Sequence, residues 1–340
     1  VTPAGLFLVG VESTALAPAE RRLLEEFPPA GVLLFARNVE SAPQVRRLAD
    51  EIGRLAPEAL LFADQEGGAV DRFRAITGPS ISFSRACGLG REREAGALAG
   101  ELCAALSIDV DLAPVVDRAV EGAGREILGE RCASEDPNRV AAAAGAFLDG
   151  LETWGVAGCL KHFPGLGRAA VDSHRELPAV PEDAEEARLD LAPFLALAPR
   201  ALAVMVSHAA TSAAGLPASL DPAVAGGLLR GRVGFEGLAI SDDLEMGALS
   251  AFGSPPERAA RAFAAGCDLL CIGRELSALP AAVRLIARGS GPARLEEAAR
   301  RHARFRERLR ALRRETRAIP RQIAEITAGI GRLRAERERV

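Results

Sequence analysis

Of the 42 Lys and Arg residues in this chain only Lys161 is a lysine, and two of the four histidines, His162 and His174, lie within thirteen residues of it. Lys presents a compact, rotatable three-donor charge, whereas Arg presents a rigid planar fork. A chain that writes nearly every cation as Arg and keeps one Lys in Lys161-His162-Phe163-Pro164-Gly165 marks a position that needs the small donor, unless coding bias alone spared it. Downstream, Asp172 and His174 are two residues apart in a segment rich in Gly and Pro. In a tight turn that spacing lets the carboxylate fix the imidazole tautomer and raise its basicity, an acid/base dyad. The plain alternative is an Asx-type turn with a solvent-facing His. Ser241-Asp242-Asp243 follows Leu238-Ala239-Ile240, and strand alternation puts Asp242 on the side of Leu238 and Ile240, with Ser241 and Asp243 opposite. One carboxylate then enters a site while its neighbour caps or makes a structural hydrogen bond. Asp64-Gln65-Glu66-Gly67-Gly68 leads to Arg72: a carboxylate, a flexible Gly pair and a cation, suited to holding vicinal hydroxyls or to an ion pair shaping a loop.

These residues need a frame. Short apolar runs at Gly5–Val11, Gly31–Arg37, Leu60–Gln65, Ile108–Pro114, Gly158–Gly165, Ala203–Ala209, Gly237–Leu244 and Leu269–Gly273 read as buried parallel strands. Between them lie amphipathic stretches such as Pro43–Leu55, Arg91–Leu106, Pro137–Thr153 and Pro222–Leu229. Eight strands alternating with helices indicate an α/β chain folded as a (β/α)8 barrel over residues 1–290. No GxGxxG follows the first strand, which argues against a doubly wound sheet. The polar residues fall at the C-terminal ends of strands three, five, six (Ser207-His208) and seven, where such a barrel builds its active site.

Composition sets outer limits. With 49% hydrophobic residues and a net charge of −4, the 340-residue chain suits a globular enzyme. No run of about 18 apolar residues predicts a membrane span. No signal peptide is legible, and six scattered cysteines read as buried free thiols, so the expected residence is the cytoplasm. No cofactor is called for, and the clustered His and carboxylate ligands are too few to favour a metal. Residues 291–340 are expected to form terminal helices that pack on the barrel or mediate contacts. Ile319, Ile323, Ile326, Ile330 and Leu333 form a short heptad-like stripe, suited to packing on the barrel or to a homodimer through 319–340. The tail's arginines are interleaved with Glu and lack aromatic partners, so they read as a solvated face and no nucleic-acid partner is expected.

Taken in order, DQEGG…R, KHFPG, DSH and SDDLxM resemble the single-domain β-N-acetylhexosaminidases of the family-3 glycoside hydrolases, over about residues 5 to 290. The resemblance implies roles that spacing does not assign. Asp242 becomes the nucleophile, and His174, paired with Asp172 on a mobile loop, the acid/base. Asp64 becomes a sugar-hydroxyl acceptor, Arg72, Arg131, Lys161 and His162 sugar-binding residues, and Met205 and His208 residues of strand six lining the site. It implies a terminal β-linked N-acetylglucosamine as substrate, in glycosides such as cell-wall muropeptides. A phosphorylase or β-glucosidase on the same scaffold is the nearer alternative, and a Schiff-base aldolase using Lys161 the more distant one. The chain departs from the family where Leu166-Gly167-Arg168 replaces the frequent His-Gly-Asp, which bears on the loop's dynamics.

Overall fold

The computed structural model describes residues 2–122, 127–169, 171–173, 175–180, 183–211, 215–316 and 318–336. Eight parallel strands form its centre: β1 (Phe7–Gly10), β2 (Gly31–Leu34), β3 (Leu60–Ala63), β4 (Val110–Asp111), β5 (Ala157–Phe163), β6 (Ala203–Val206), β7 (Leu238–Ser241) and β8 (Leu270–Ile272). Each pairs with the next, β8 returns to β1, and a parallel bridge between Ile240 and Leu269 joins β7 to β8, closing the barrel. Leu8, Leu33, Phe62, Val110, Met205 and Ile240 fill the interior, while Val9, Val32, Ala63, Val204 and Ala239 face the helices. This is the two-sided burial that the continuous apolar runs predict.

The helices start where the chain supplies acceptors for their first N–H groups. Ser41 caps Ala42–Leu55, Asp136 caps Pro137–Glu152, and Asp183 takes both Glu185 N–H and Glu186 N–H at the start of Ala184–Leu197. Two elements differ from expectation. Strand four is expected over Ile108–Pro114, yet only Val110–Asp111 pairs continuously. Pro114 has no N–H to give a ladder, and the chain beyond it touches β5 through a bridge between Val115 and Lys161. The helix expected over Pro222–Leu229 runs on to Arg232 and is wound as a π-helix.

Helix Pro292–Glu315 crosses the N-terminal end of the barrel and plugs it. Phe305 and Leu309 join the barrel's interior cluster, and burying each stabilises the fold by roughly 2–3 kcal/mol. A second terminal helix, Ile323–Ala335, packs against helix Glu92–Ala105 and the short turn Arg74–Thr77. Of the apolar stripe, Ile326, Ile330 and Leu333 are buried in this chain's own core, and Ile319 stands exposed. No described helix is long and apolar enough to cross a membrane.

Candidate active site

At the C-terminal ends of the strands a cavity of about 510 Å³ opens, lined by Asp64, Glu66, Arg72, Arg131, Lys161, His162, Asp172, Met205, Asp242 and Asp243, among others. Residues from β3, β5, β6 and β7 thus meet, as their positions at strand ends require.

Lys161 stands inside β5 with its side chain 2% exposed. Its Nζ donates to Asp64 Oδ1 at 2.7 Å and pairs with Glu66 Oε1 at 2.5 Å. Arg72 meets the other oxygen of Asp64 at 3.0 Å, and Arg131 grips Glu66 with two parallel bonds of 2.8 and 3.0 Å. The result is a row of alternating charge: Arg72, Asp64, Lys161, Glu66, Arg131. Burial opposes ionisation of both carboxylates, but the cations outweigh it: Lys161 and Arg72 hold Asp64 well below the usual range, and Lys161 and Arg131 bring Glu66 down to about 2. Burial likewise works against the Lys161 ammonium, and Asp64 and Glu66 reverse it, raising its pKa. An Arg fork could not sit between two carboxylates converging on one atom.

The hairpin Gln65–Gly67/Val70–Asp71 delivers Glu66. Its turn depends on Gly67 and Gly68 at φ of 85° and 61°, the left-handed region that glycine adopts without strain. Asp71 secures it by accepting from Gln65 Nε2 and from Ser80 N–H.

His162 is held from below. Its Nδ1 lies 2.7 Å from Asp117 Oδ2, while Asp117 Oδ1 accepts Leu166 N–H at 2.7 Å. Arg131 donates to His162 Nε2 at 3.2 Å, so Nε2 is the acceptor and Nδ1 carries the proton toward Asp117. Neither Asp117 nor the role of Glu66 is evident from sequence. The only signal for Asp117 is an acid ending the apolar run after Pro114; Glu66 is hidden inside its own motif.

Asp242 follows β7. Its Oδ1 accepts Asp243 N–H at 2.8 Å, and among the described residues it forms no ion pair. Burial pushes its carboxyl up, but His208, His162, the Asp243 N–H and Lys161 together hold it below the ordinary value, so it is an anion at neutral pH. Asp243, by contrast, takes the N–H groups of Glu245 and Gly273, and burial raises it to about 6. Both carboxylates line the cavity, contrary to the expected alternation, and they divide by partner instead: Asp243 is committed to main-chain N–H groups of two other segments, whereas Asp242 is not.

Met205 lines the cavity. His208 is not among the lining residues: it is fully buried, with Nδ1 at 2.8 Å from Ser219 Oγ and Nε2 at 2.9 Å from the Asp243 carbonyl. β6 ends at Val206, and beyond it these two bonds hold the His208 ring out of the cavity that Met205 faces. Asp172 and Ser173 reach the cavity, and the Asp172 carbonyl accepts the N–H of Arg175 and of Glu176, the tight turn expected of this segment. His174 lies outside the described residues. Arg168, the departure from the family pattern, turns away from the cavity and pairs with Asp190 at 2.7 Å. Gly167 allows the turn to lie on the chain below it, since a Cβ there would sit 2.1 Å from the Arg118 carbonyl oxygen. Among the described residues no cluster of three or more His, Cys, Asp or Glu side chains is arranged to hold a metal ion.

Comparison with known proteins agrees with this geometry. Residues 6–305 match the model described as the glycosyl hydrolase family 3 N terminal domain. A beta-hexosaminidase of Stenotrophomonas maltophilia is 37% identical over 286 residues, covering 78% of this chain and 83% of that one. The beta-hexosaminidase of Pseudomonas aeruginosa is 34% identical over 309 residues, 86% of this chain and 90% of the relative. Among solved structures, NagZ from Neisseria gonorrhoeae in complex with N-trifluoroacetyl-D-glucosamine superposes with a TM-score of 0.81 at 27% identity, spanning 98% of this chain and 99% of that one. A family 3 beta-N-acetylglucosaminidase from Paenibacillus sp. gives 0.85 at 30% identity, over 97% and 67%. With barrel, strand-end residues and family match in agreement, this chain belongs to the family-3 glycoside hydrolases.

Proposed function

We propose that the chain is a retaining exo-β-N-acetylhexosaminidase that removes terminal β-linked N-acetylglucosamine, with Asp242 as nucleophile and His174, oriented by Asp172, as acid/base. The observation that carries this reading is the contrast within one cavity. Asp64 and Glu66 are both neutralised by cations, while Asp242 is held anionic and forms no ion pair among the described residues. A carboxylate in that state can attack. Asp242 bonds to the anomeric carbon as the glycosidic bond breaks, and His174 gives its proton to the leaving oxygen. His174 then takes a proton from water, whose oxygen displaces Asp242 and regenerates the carboxylate. Lys161 has three donors and two are committed, so the third serves a sugar hydroxyl as a charge-assisted bond. Asp64 accepts from the same sugar, and Arg72, Arg131, His162 and Met205 complete its walls. His208 acts one step back by fixing the Asp243 carbonyl.

Muropeptides of the cell wall are the proposed natural glycosides, and the six buried free cysteines support residence in the cytoplasm. Residues 1–290 form the catalytic unit and 291–340 its packing tail. Because three residues of the stripe are spent on the chain's own core, packing in cis is favoured over a homodimer through 319–340, and sedimentation at micromolar concentration decides between them.

The test offers p-nitrophenyl N-acetyl-β-D-glucosaminide and the matching β-D-glucoside, each with and without phosphate. Release from the N-acetyl substrate alone is expected. A sugar phosphate formed only with phosphate present assigns a phosphorylase, and release from the glucoside alone moves the specificity. His174→Ala is expected to slow substrates with poor leaving groups far more than nitrophenyl ones; equal loss on both contradicts the acid role.

A further inference from the structure

Helix Ile323–Ala335 lies beyond the stretch matched by the family model, yet it reaches the back of the sugar site. Its entry is clamped by Arg321, which gives its own N–H and Nε to Glu101 Oε1 (3.0 and 2.9 Å) and its Nη2 to Oε2 (2.5 Å), on a carboxylate only 1% exposed. Its exit is held by Glu336, whose carboxylate meets Arg91 at 3.1 Å and whose carbonyl accepts from Arg85 at 2.9 Å. Between the clamps Ile326, Ile330 and Leu333 are buried, and a Cβ on Gly329 would come within 3.0 Å of Leu98. Ile330 and Leu333 close one side of a cavity of about 20 Å³, and Gln65, Glu66 and Gly67 close another. That volume is the size of a single water. On its far side Glu66 holds Lys161 and Arg131.

We propose that the terminal helix is a positioning element of the active site: Leu333 and Ile330 hold the hairpin so that Glu66 stands where it orients Lys161 and Arg131 on the sugar. The proposal rests on reading the cavity as the sugar site. The gap between helix and hairpin is already no larger than one water, and neighbours relax only partly into a void enlarged by a shortened side chain.

The test places Leu333→Ala and Ile330→Ala in the full chain. Ile286→Ala is the comparison, since Ile286 is equally buried on helix Leu279–Gly289 and does not line the cavity at the mouth. Thermal stability is measured first. KM, kcat and inhibition by N-acetylglucosamine then follow, well below every melting temperature. The tail variants should raise KM and the inhibition constant by about 3–10-fold, with kcat within about 3-fold, while Ile286→Ala melts earlier and leaves both constants unchanged. Leu333→Val leaves a smaller void and should move the constants the same way by about 2-fold, which keeps the question open to measurement should the alanine variant not fold. Unchanged constants in the tail variants, or the same change in Ile286→Ala, overturn the proposal. Failure of the underlying reading shows differently, as a wild-type protein that releases nothing from N-acetylglucosaminides.

Discussion

The two ends of the barrel each hold a buried charge cluster, and they are built differently. At the floor Asp268 is fully buried and meets Arg230 at 2.5 Å and both Arg294 and Arg301 at 3.1 Å. Much of the donor capacity there ends on the main chain. Arg230 also binds the carbonyls of Phe235 and Gly237, Arg294 those of Phe263 and Cys267, and His302 that of Asp268 itself. At the mouth, Lys161, Arg131 and Arg72 end on carboxylate side chains around an open volume of about 510 Å³. Burial and ion pairing are common to both. Donors that finish on backbone carbonyls tie strand ends to a helix and serve stability. Donors that finish on side chains facing open space leave acceptors and protons available to a ligand.

Substitutions can break this contrast. The largest expected effect is Asp242→Ala: turnover should fall by about 10⁴-fold or more with the fold intact, and wild-type-like rates with a normal melting curve would sink the nucleophile assignment. Next comes the floor. Asp268→Asn removes the one buried anion that three guanidinium groups share, with an expected loss of ~3 kcal/mol in denaturant unfolding and kcat/KM within about twofold; a large catalytic loss at unchanged stability would erase the distinction between the ends. Lys161→Arg keeps the charge and changes its shape, so kcat/KM should fall by about a hundredfold. A near-normal value would mean that charge alone suffices and that coding bias explains the single lysine.

The smallest effect concerns Asp111, behind the mouth. Burial raises its carboxyl to about 7 against the opposing Gln65 N–H, and its Oδ2 has no hydrogen-bond partner. A folded-state pKa above the unfolded value contributes stability that is full at acidic pH and is lost as pH rises from about 4 to about 7. Asp111→Asn should therefore stabilise the fold at pH 8 and change nothing below pH ~4. Glu66 works in the opposite sense: its depressed pKa contributes stability above about 4.5 that is lost as pH falls toward 2. Unfolding curves at pH 3, 5 and 8 separate the two, and a gain for Asp111→Asn that grows toward acid would contradict this account.

The barrel was legible in the chain because its strands are buried on both faces and therefore read as continuous apolar runs bounded by polar strand ends. The same logic placed Asp64, Lys161 and Asp242 at one mouth, since a residue ending a parallel strand has one end of the barrel to go to, whereas Met205 came from the family resemblance. The family resemblance, not the spacing, supplied the roles of Asp242 and His174. Partners across the barrel were not legible. Asp117 reaches His162 because the chain after Pro114 runs on beside β5, and Glu66 reaches Lys161 and Arg131 because a glycine turn folds it back. His208 shows the converse. It sits at a strand end like the others, yet its bonds to Ser219 and to the Asp243 carbonyl hold it behind the wall. Sequence by itself determined which residues occupy strand ends, because burial and period act locally. Only the tertiary structure decided which charges neutralise one another, which carboxylate is held anionic without an ion pair among the described residues, and which helix stands behind the site, because those depend on distances between segments far apart in the chain.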